Sequence, residues 1–393
     1  MKSFGSNVIN IEKGARHTKP IVFILSAWLK RFPYVRFSLD ERFIGLYNTF
    51  SDVFSSDYDI YLYDEARMKL YRFTNGEYKT TNFRFLPSVI LRLLQKSIRY
   101  RKKFLLVISY PYACYLSPFI ASFILLFTFK PLNFIKIVLD VVDVPTYPER
   151  EIKLLDRAVL DVMEVVCLKL ASCVMVNSNG WREYFVKRKV KCKIQVVPWG
   201  SFHRLIKPAY RSSGDVFNLL YAGAIVQGRG IEELVECIRR ARKKCDIRLI
   251  FATGGVSQIH LPKSGWLQKF SRVPNYLNAI DILLKADAGV IPYPPGTGFW
   301  DRAFIAKLSF YMAGGKPVLS TNLSETRRIL QKWNCGLIAR NWTEMEELII
   351  KLCKDRKLAS LLGKNARIAA EKEYNWEVSA HKMNMLIKEV LYQ

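Results

Sequence analysis

Glycines and basic side chains occur together at two places in the second half of the chain. Three glycines lie in the segment 223–230, which also holds Arg229, and the loop 294–298 holds two more and is followed by Arg302. Glycine lets a backbone approach a ligand closely, and arginine donates hydrogen bonds to phosphate oxygens. Both places therefore have the composition of an anion site, with phosphate as the expected anion. For the loop 294–298, an ordinary turn without a ligand is the alternative interpretation.

The second of these places lies inside a strand–helix–strand unit. The pattern predicts a strand over Ala288–Tyr293, a loop over Pro294–Gly298, a helix over about Asp301–Ala313 and a second strand over Pro317–Thr321. Two short apolar strands around one helix form a unit whose strands are parallel and buried. Ligands of such units bind at the carboxyl ends of the strands, beside the start of the following helix.

Strands and helices alternate through both halves of the chain, which predicts an α/β fold with two doubly wound parallel sheets. Glycine, proline and serine cluster over 200–214, where the periodicity lapses, and we predict a linker there. The predicted units are an N-terminal domain over 1–210, a C-terminal domain over 211–372 and a closing helix over 373–393.

Polar side chains end two predicted strands of the first half. Asp140 and Asp143 close the buried strand FIKIVLDVVDV, and Asn177 and Ser178 follow the predicted strand 173–177. Carboxylates at the carboxyl end of a strand face the crevice where ligands bind. A helix cap or a surface turn is the alternative role for each of these residues.

The segment 91–129 combines basic and apolar residues. Residues 91–103 carry six basic side chains and no acid, and the 26 residues from 104 to 129 carry no charge. A basic, partly amphipathic helix over 91–103 suits an anionic membrane surface. Because Pro111 and Pro118 interrupt the apolar run, we favour a core strand followed by a buried helix. A helix that dips into the membrane and a full membrane span are the alternatives.

Composition indicates a folded, strongly basic protein. The chain has 393 residues, half of them hydrophobic, and a net charge of +27, which favours polyanionic partners. The eight cysteines are scattered without a metal-ligand or redox motif, so we expect reduced thiols in a cytosolic compartment. Residues 20–29 are apolar, but no small-residue cleavage site follows them, and a first buried strand is the expected structure.

Several segments match the motifs of one enzyme family. AKLSFYMAGGKPVLS is similar to K-l-x-E-Y-M-A-x-G-K-P-V, and KADAGVIPY is similar to a-D-v-x-v-x-P-y. YAGAIVQGRGIEEL is similar to y-x-G-x-l-x-x-x-K/R-G-i-x-x-L, and VMVNSNGWREYF, QVVPWGSFHRLIKP and EYNWEVSAHKM match three further motifs. These six segments occur in the correct order over roughly 136–393. The chain thus resembles retaining glycosyltransferases of the two-domain GT-B fold, the family 4 type.

The resemblance implies two Rossmann-like domains that face a cleft, with a nucleotide-sugar donor on the second domain. Arg229 takes the place of the family's diphosphate-binding residue, and Lys307 matches the lysine of the K-l-x-E-Y motif. The predicted catalytic residues are Arg229, Lys307 and Asp143. The predicted donor site comprises Gly223, Arg229, Gly254, Tyr293, Gly298, Arg302, Lys307 and Glu325, and the predicted acceptor side comprises Asp140 and Ser178. The closing helix is expected to pack on the N-terminal domain through Trp376, with Val378, Met385 and Leu386 near it.

Three positions depart from the family's pattern. Ala224 stands after the first glycine, where the family commonly has a second basic residue. The family's two glutamates, seven residues apart, are replaced by Arg302 and Phe310. The second glutamate is usually taken to bind the ribose of the nucleotide, so this contact has no carboxylate here.

We therefore expect a retaining, hexosyltransferase-like enzyme that moves a sugar from a nucleotide-diphosphate donor to a lipid-linked or cell-envelope glycan acceptor. We expect no cofactor other than this donor, no metal, and a peripheral position on the anionic inner face of the cell membrane. The alternative is a GT-B-like binding or assembly protein without catalysis, which the replaced glutamates favour. A nucleic-acid-binding protein is a third interpretation, but the sequence contains no recognised nucleic-acid module, so nucleic acid is not an expected partner.

Overall fold

The computed structural model describes residues 19–26, 43–64, 69–81, 86–110, 135–142, 154–210, 216–255, 257–296 and 298–392. Strands alternate with helices through these ranges, in agreement with the sequence pattern. The strands are β1 (Ile21–Ser26), β2 (Asp59–Asp64), β3 (Lys69–Thr74), β4 (Glu77–Thr80), β5 (Phe104–Tyr110), β6 (Ile135–Val141), β7 (Cys173–Val176), β8 (Lys193–Val196), β9 (Phe217–Ala222), β10 (Ile247–Thr253), β11 (Leu267–Ser271), β12 (Ala288–Ile291), β13 (Val318–Thr321) and β14 (Gly336–Ala339).

Helices connect these strands. A π-helical turn (Phe43–Asn48) leads into the first of them, and a short 3-10 turn (His203–Leu205) lies between the two sheets. The α-helices are α1 (Thr49–Phe54), α2 (Leu86–Arg99), α3 (Leu154–Leu170), α4 (Asn179–Lys187), α5 (Ile231–Ala241), α6 (Tyr276–Lys285), α7 (Phe299–Arg302), α8 (Lys307–Ala313), α9 (Ser324–Trp333), α10 (Trp342–Lys354), α11 (Arg356–Lys372) and α12 (Trp376–Tyr392).

The described strands form two sheets, and both follow the predicted α/β plan. The first has the order β4-β3-β2-β1-β5-β6-β7-β8, and the second has the order β11-β10-β9-β12-β13-β14. Every pairing in the second sheet is parallel. In the first sheet β3 pairs antiparallel with both β2 and β4, which the sequence pattern did not predict. Asn75 and Gly76 join β3 and β4 with φ of 53° and 78°, the backbone of a tight hairpin turn.

The predicted helix over about Asp301–Ala313 is in fact two helices, α7 and α8. They separate at Ala303, whose backbone is extended with ψ of 142°. The carbonyl oxygen of Arg302, which a continuous helix would use internally, accepts a hydrogen bond of 2.6 Å from Ser178 Oγ. The chain at Gly180 is so close that an added Cβ would lie 2.5 Å from Arg302 Cα. Ser178 and Gly180 belong to the half of the molecule that contains the first sheet, and their contact with Arg302 explains why the helix ends there.

The closing helix α12 lies against elements of the first sheet. Trp376 is buried, and a Cβ on Gly45 would come within 2.2 Å of its ring. The Tyr58 hydroxyl donates a hydrogen bond of 2.8 Å to Asn384 Oδ1 farther along the helix. Leu386 is buried as expected, whereas Met385 is 72% exposed, so its predicted place beside Trp376 is wrong. Met385 directly precedes Leu386, and neighbouring residues of a helix point in different directions.

The segment 91–129 is described only in its first part. The predicted basic helix is present as the end of α2, and the predicted core strand is present as β5. The predicted apolar helix after Pro111 lies outside the described residues. Among the helices that the structure describes, none combines the length and the apolar character needed to cross a membrane.

Candidate active site

The loop between β9 and α5 carries Arg229 and depends on its glycines for shape. Gly228 and Gly230 have φ of 74° and 68°, a backbone region that other residues rarely adopt. Gly230 also packs against the chain after β12, where a Cβ would lie 1.9 Å from the carbonyl oxygen of Pro292. The loop therefore lies against the end of β12, the neighbour of β9 in the sheet. From there Arg229 reaches side chains that follow β12.

Lys307 begins helix α8 and lies at the same edge of the sheet. Its Nζ atom donates a hydrogen bond of 2.9 Å to the Tyr293 hydroxyl and lies 3.8 Å from the ring centroid of Tyr221. Gly223, with φ of 142°, leaves room for this side chain, because a Cβ there would lie 3.2 Å from Lys307 Nζ. The structure thus brings together four of the predicted donor-site residues: Gly223, Arg229, Tyr293 and Lys307.

Aromatic side chains form the walls around the two cations. The guanidinium carbon of Arg229 lies 5.6 Å from the ring centroids of both Tyr293 and Trp300. Such packing holds the guanidinium between the rings. Burial acts to lower the pKa of the Arg229 guanidinium, but the neighbouring Tyr293 and Tyr221 hydroxyls outweigh that effect and raise it. Among the residues that the structure describes, no carboxylate lies within ion-pair distance of Arg229 or Lys307. Neither Tyr221 nor Trp300 was among the predicted site residues.

The electrostatics of this cluster favour an anionic ligand. Burial lowers the pKa of the Lys307 ammonium to about 8, the Tyr293 hydroxyl opposes this shift, and the nearby Arg229 charge adds to it. Burial acts to raise the pKa of Tyr293, but the charges of Lys307 and Arg229 outweigh that effect and lower it. A diphosphate between the cations would relieve their mutual repulsion and replace the water that burial removes. We call Tyr221, Arg229, Tyr293, Trp300 and Lys307 the cation cluster.

The other predicted donor residues have different surroundings. Arg302 donates through Nη1 to the carbonyl oxygen of Gly298 at 2.9 Å, so it closes its own loop. Glu325 is buried and accepts a hydrogen bond from the Asn179 amide at 3.3 Å, while Arg328 lies 2.6 Å from it. Gly254 follows β10, is exposed, and has open space where a Cβ would point. The contacts of Arg302 and Glu325 therefore hold loops and the two halves of the molecule together.

Phe310 is buried among aromatic side chains, which is a poor environment for a contact with a ribose. It is 1% exposed, and its ring packs edge-on against Tyr276 with 5.5 Å between the ring centroids. Tyr276 in turn packs against Phe202 at 5.2 Å. A glutamate at this position would face aromatic rings, so the replacement extends an apolar cluster.

The predicted acceptor-side residues lie at the carboxyl ends of first-sheet strands. Asp140, near the end of β6, is fully buried and accepts a hydrogen bond of 2.8 Å from the Tyr47 hydroxyl. Tyr47 lies in the π-helical turn and was not predicted. Ser178 caps α4 by accepting a hydrogen bond of 3.1 Å from the Trp181 amide, besides its bond to Arg302. Asp143 lies outside the described residues. In the described part of the chain, no three His, Cys, Asp or Glu side chains are grouped to hold a metal ion.

Comparison with known proteins identifies the architecture. Residues 216–355 match the family model described as glycosyl transferases group 1. No curated protein matches the chain in sequence. The sucrose-phosphate synthase of Thermosynechococcus elongatus superposes with a TM-score of 0.71 and 15% identity, covering 95% of this chain and 100% of that chain.

Two further solved structures are similar over nearly the whole chain. Anabaena HepE in complex with UDP-glucose has a TM-score of 0.62 and 12% identity, covering 94% of this chain and 99% of that chain. WaaG, a glycosyltransferase involved in lipopolysaccharide biosynthesis, has a TM-score of 0.57 and 15% identity, covering 93% of this chain and 99% of that chain. These findings confirm the GT-B fold expected from the motifs. Residues 216–355 are similar to the glycosyl transferases of group 1.

Proposed function

We propose that the protein transfers a hexosyl group from a nucleotide-diphosphate sugar to a lipid-linked or cell-envelope glycan, with retention of configuration at the anomeric carbon. The observation that carries this proposal is the cation cluster, in which Arg229 and Lys307 converge at the carboxyl edge of the second sheet. UDP-glucose is bound by the structurally similar HepE, which supports a donor of this chemical class.

The cation cluster can stabilise the charge that develops on a leaving diphosphate. Arg229 donates from a guanidinium held between Tyr293 and Trp300, and Lys307 donates from a buried ammonium. A positioned donor to developing charge contributes roughly 2.7–4 kcal/mol to transition-state stabilisation in comparable sites. In this proposal the diphosphate departs from the face on which the acceptor hydroxyl arrives, and no covalent intermediate forms with a protein side chain.

For the acceptor we propose a lipid-linked or envelope glycan at the cytoplasmic face of the membrane. Arg92 and Arg99 are exposed on α2, and Arg101 is exposed just after it. Their neighbours in the sequence, Leu91, Ile98 and Tyr100, are 37%, 59% and 51% exposed. Exposed cations beside exposed apolar groups suit the headgroups and the outer acyl region of an anionic leaflet. We call these six residues the basic face. The structurally similar WaaG acts in lipopolysaccharide biosynthesis, which supports an acceptor of this class.

Not all six basic residues of 91–103 are available for this contact. Lys102 and Lys96 lie 2.5 Å and 3.7 Å from Asp59, and they form an ion-pair cluster with it on β2. Lys103 donates to the carbonyl oxygen of Leu391 at 2.5 Å and lies 4.2 Å from the ring centroid of Tyr392. The proposed membrane contact therefore depends on the exposed side chains of Arg92, Arg99 and Arg101, of which Arg92 also has an interaction within the protein.

A donor panel tests the proposed activity. The purified protein is incubated with uridine, guanosine and adenosine diphosphate sugars and short lipid-linked acceptors, and the released nucleoside diphosphate is measured. We expect release that depends on the acceptor, and a product whose anomeric coupling in NMR matches that of the donor. An inverted product would contradict retention, and release without acceptor dependence would contradict transfer.

A binding or assembly protein without catalysis is the second candidate, favoured by buried Phe310 at the position of the family's ribose-binding glutamate. The donor panel distinguishes the two candidate functions by whether nucleoside diphosphate is released. Saturable binding of a nucleotide sugar without release of nucleoside diphosphate, for every acceptor class, would favour this second function.

A further inference from the structure

A groove with a cavity volume of about 680 Å³ lies along β8. In the described part of the chain, β8 is an edge strand of the first sheet. The walls of the groove come from α4, β8, α9 and α12. No member of the cation cluster or of the basic face lines it. The groove is therefore separate from the candidate active site and from the proposed membrane contact. We call it the β8 groove.

The backbone of β8 offers hydrogen-bonding groups to this groove. The Val197 amide donates to the carbonyl oxygen of Val176 on β7 at 2.8 Å. In a parallel ladder, alternate residues direct both backbone groups to the same neighbour, so Ile194 and Val196 direct theirs away from β7. The carbonyl oxygen of Val196 accepts from the Gln195 side chain at 3.3 Å. Within the described part of the chain, the two amides and the carbonyl of Ile194 remain for an added strand.

The side chains around the β8 groove are mainly cationic. Arg182, Lys193, Arg328 and Lys382 line it, against one carboxylate, Glu373. Lys193 pairs with Glu389, and Arg328 pairs with Glu325. Among the described residues, no carboxylate lies within ion-pair distance of Arg182 or Lys382. Arg182 and Lys382 therefore supply the positive charge of the groove that no direct ion pair offsets. Burial lowers the pKa of Lys382, and the nearby Glu373 carboxylate acts in the opposite direction.

Apolar side chains alternate with these cations. Val186 on α4 is 55% exposed at the groove, and Ile194 and Val196 are half-buried at its floor. An edge strand with available amides, apolar floor residues and flanking cations matches the recognition of an extended peptide by strand addition. We propose that the β8 groove binds an extended acidic segment of a partner protein, which pairs with β8 as an additional strand.

Other occupants fit these observations less well. A polyphosphate or an anionic membrane would meet Arg182 and Lys382 but would leave the backbone groups of β8 without strand partners. A second copy of the chain would bring a net charge of +27 against the same positive groove. An acidic peptide satisfies both the charge and the backbone.

The test uses a fluorescein-labelled, end-blocked peptide of four Glu-Val repeats and measures its anisotropy with the full-length protein. Two matched peptides separate the effect of charge from that of strand pairing. Four Lys-Val repeats reverse the charge, and Glu-Val repeats that are N-methylated at every residue keep the charge but have no backbone amide to donate to a ladder on either edge. We expect saturable binding of the first peptide only. No saturable binding, or equal binding of the N-methylated peptide, would overturn the proposal.

Protein variants locate the site. Arg182→Glu combined with Lys382→Glu should weaken binding by on the order of tenfold, because two attractive charges become repulsive. The control is Lys243→Glu combined with Lys244→Glu, which makes the same change of charge at exposed positions after α5. Equal losses in the two double variants would show attraction to net charge alone and would overturn the site.

A backbone variant tests strand addition itself. Ile194→Pro removes one outward amide, and proline is tolerated in edge strands. Ile194→Val is its control, and unchanged thermal unfolding shows that the fold is kept. We expect Ile194→Pro to lose binding and Ile194→Val to keep it. If anionic vesicles or inorganic polyphosphate displace the peptide from wild type but not from the Arg182/Lys382 variant, a general polyanion site replaces the proposed peptide site.

Discussion

Lys307 Nζ donates a hydrogen bond of 2.9 Å to the hydroxyl oxygen of Tyr293, and both side chains are almost fully buried. The lysine comes from the start of α8 and the tyrosine from the chain after β12, so the bond joins two segments of one strand–helix unit. The ammonium remains charged in this position only up to moderate pH, since burial lowers its pKa to about 8. Its charge therefore depends on its partner and on the pH.

The buried Lys307 ammonium and its bond to Tyr293 predict that kcat/KM for the donor falls at alkaline pH. As pH rises through about 8, Lys307 loses its proton, and kcat/KM for the donor should fall. Tyr293→Phe removes the hydroxyl that supports the ammonium, so the fall should begin at lower pH. Tyr392→Phe changes an exposed tyrosine far from the cluster and should leave the profile unchanged. Identical profiles for wild type and Tyr293→Phe would contradict the assigned contact.

Lys307 also predicts that the difference in unfolding free energy between wild type and Lys307→Met changes with pH. Because the pKa of Lys307 is lower in the folded state than its ordinary value of 10.5, the unfolded chain binds more protons between about pH 8 and 10.5. The free energy of unfolding of wild type, relative to Lys307→Met, should therefore rise with pH over this window. Denaturant titrations at several pH values measure the difference, and a relative decrease over the window would contradict the sign.

Gly230 should tolerate substitution much less well than Gly228. Both residues have positive φ, but a Cβ at Gly230 would collide with the carbonyl oxygen of Pro292, whereas a Cβ at Gly228 would meet nothing within 4 Å. Gly228→Ala should cost about 1 kcal/mol of unfolding free energy through backbone strain alone. Gly230→Ala should cost clearly more and should also weaken donor binding, since Arg229 lies between the two. Equal costs measured by denaturant titration would contradict the packing described for this loop.

The basic face makes a prediction about membranes. Replacing Arg92, Arg99 and Arg101 by glutamine should weaken sedimentation with anionic vesicles by roughly a hundredfold, because each basic residue contributes about 1 kcal/mol near such a surface. Binding of wild type should also weaken as salt rises, since the Debye length is about 8 Å at physiological ionic strength. The control replaces Arg239, Lys243 and Lys244 by glutamine. These residues are exposed on α5 and just after it, in the half of the molecule that contains the second sheet. Equal binding of both triple variants, or equal binding of wild type to neutral vesicles, would argue against this contact.

The sequence predicted the architecture better than the site. Strand–helix periodicity and the ordered motifs were sufficient for two Rossmann-like sheets, because burial imposes a regular pattern on strands such as β9 and β12. The hairpin of β3 and β4 was missed although Asn75–Gly76 is a strong turn signal. The break between α7 and α8 could not be predicted, since it depends on a hydrogen bond from Ser178, which is distant in the sequence.

In the site, the motifs located Arg229 and Lys307 but not the aromatic walls. Tyr221 and Trp300 belong to no charged or glycine-rich pattern, and only the fold places their rings beside the cations. Tyr47 was missed for the same reason, since its contact with Asp140 spans 93 residues of sequence. Conversely, Glu325 was expected at the donor, whereas its contacts are with Arg328 and the Asn179 amide.

In the proposed function, Arg229 binds the diphosphate of a nucleotide sugar. The most direct measurement is the calorimetric affinity of uridine, guanosine and adenosine diphosphates for Arg229→Ala, wild type and the control Arg239→Ala, which alters an exposed arginine paired with Glu236. We predict that one diphosphate binds wild type and the control equally, that Arg229→Ala loses this binding while its thermal unfolding is unchanged, and that transfer falls by roughly 10²–10³-fold in the same variant. Unchanged affinity and transfer in Arg229→Ala would contradict this role of Arg229.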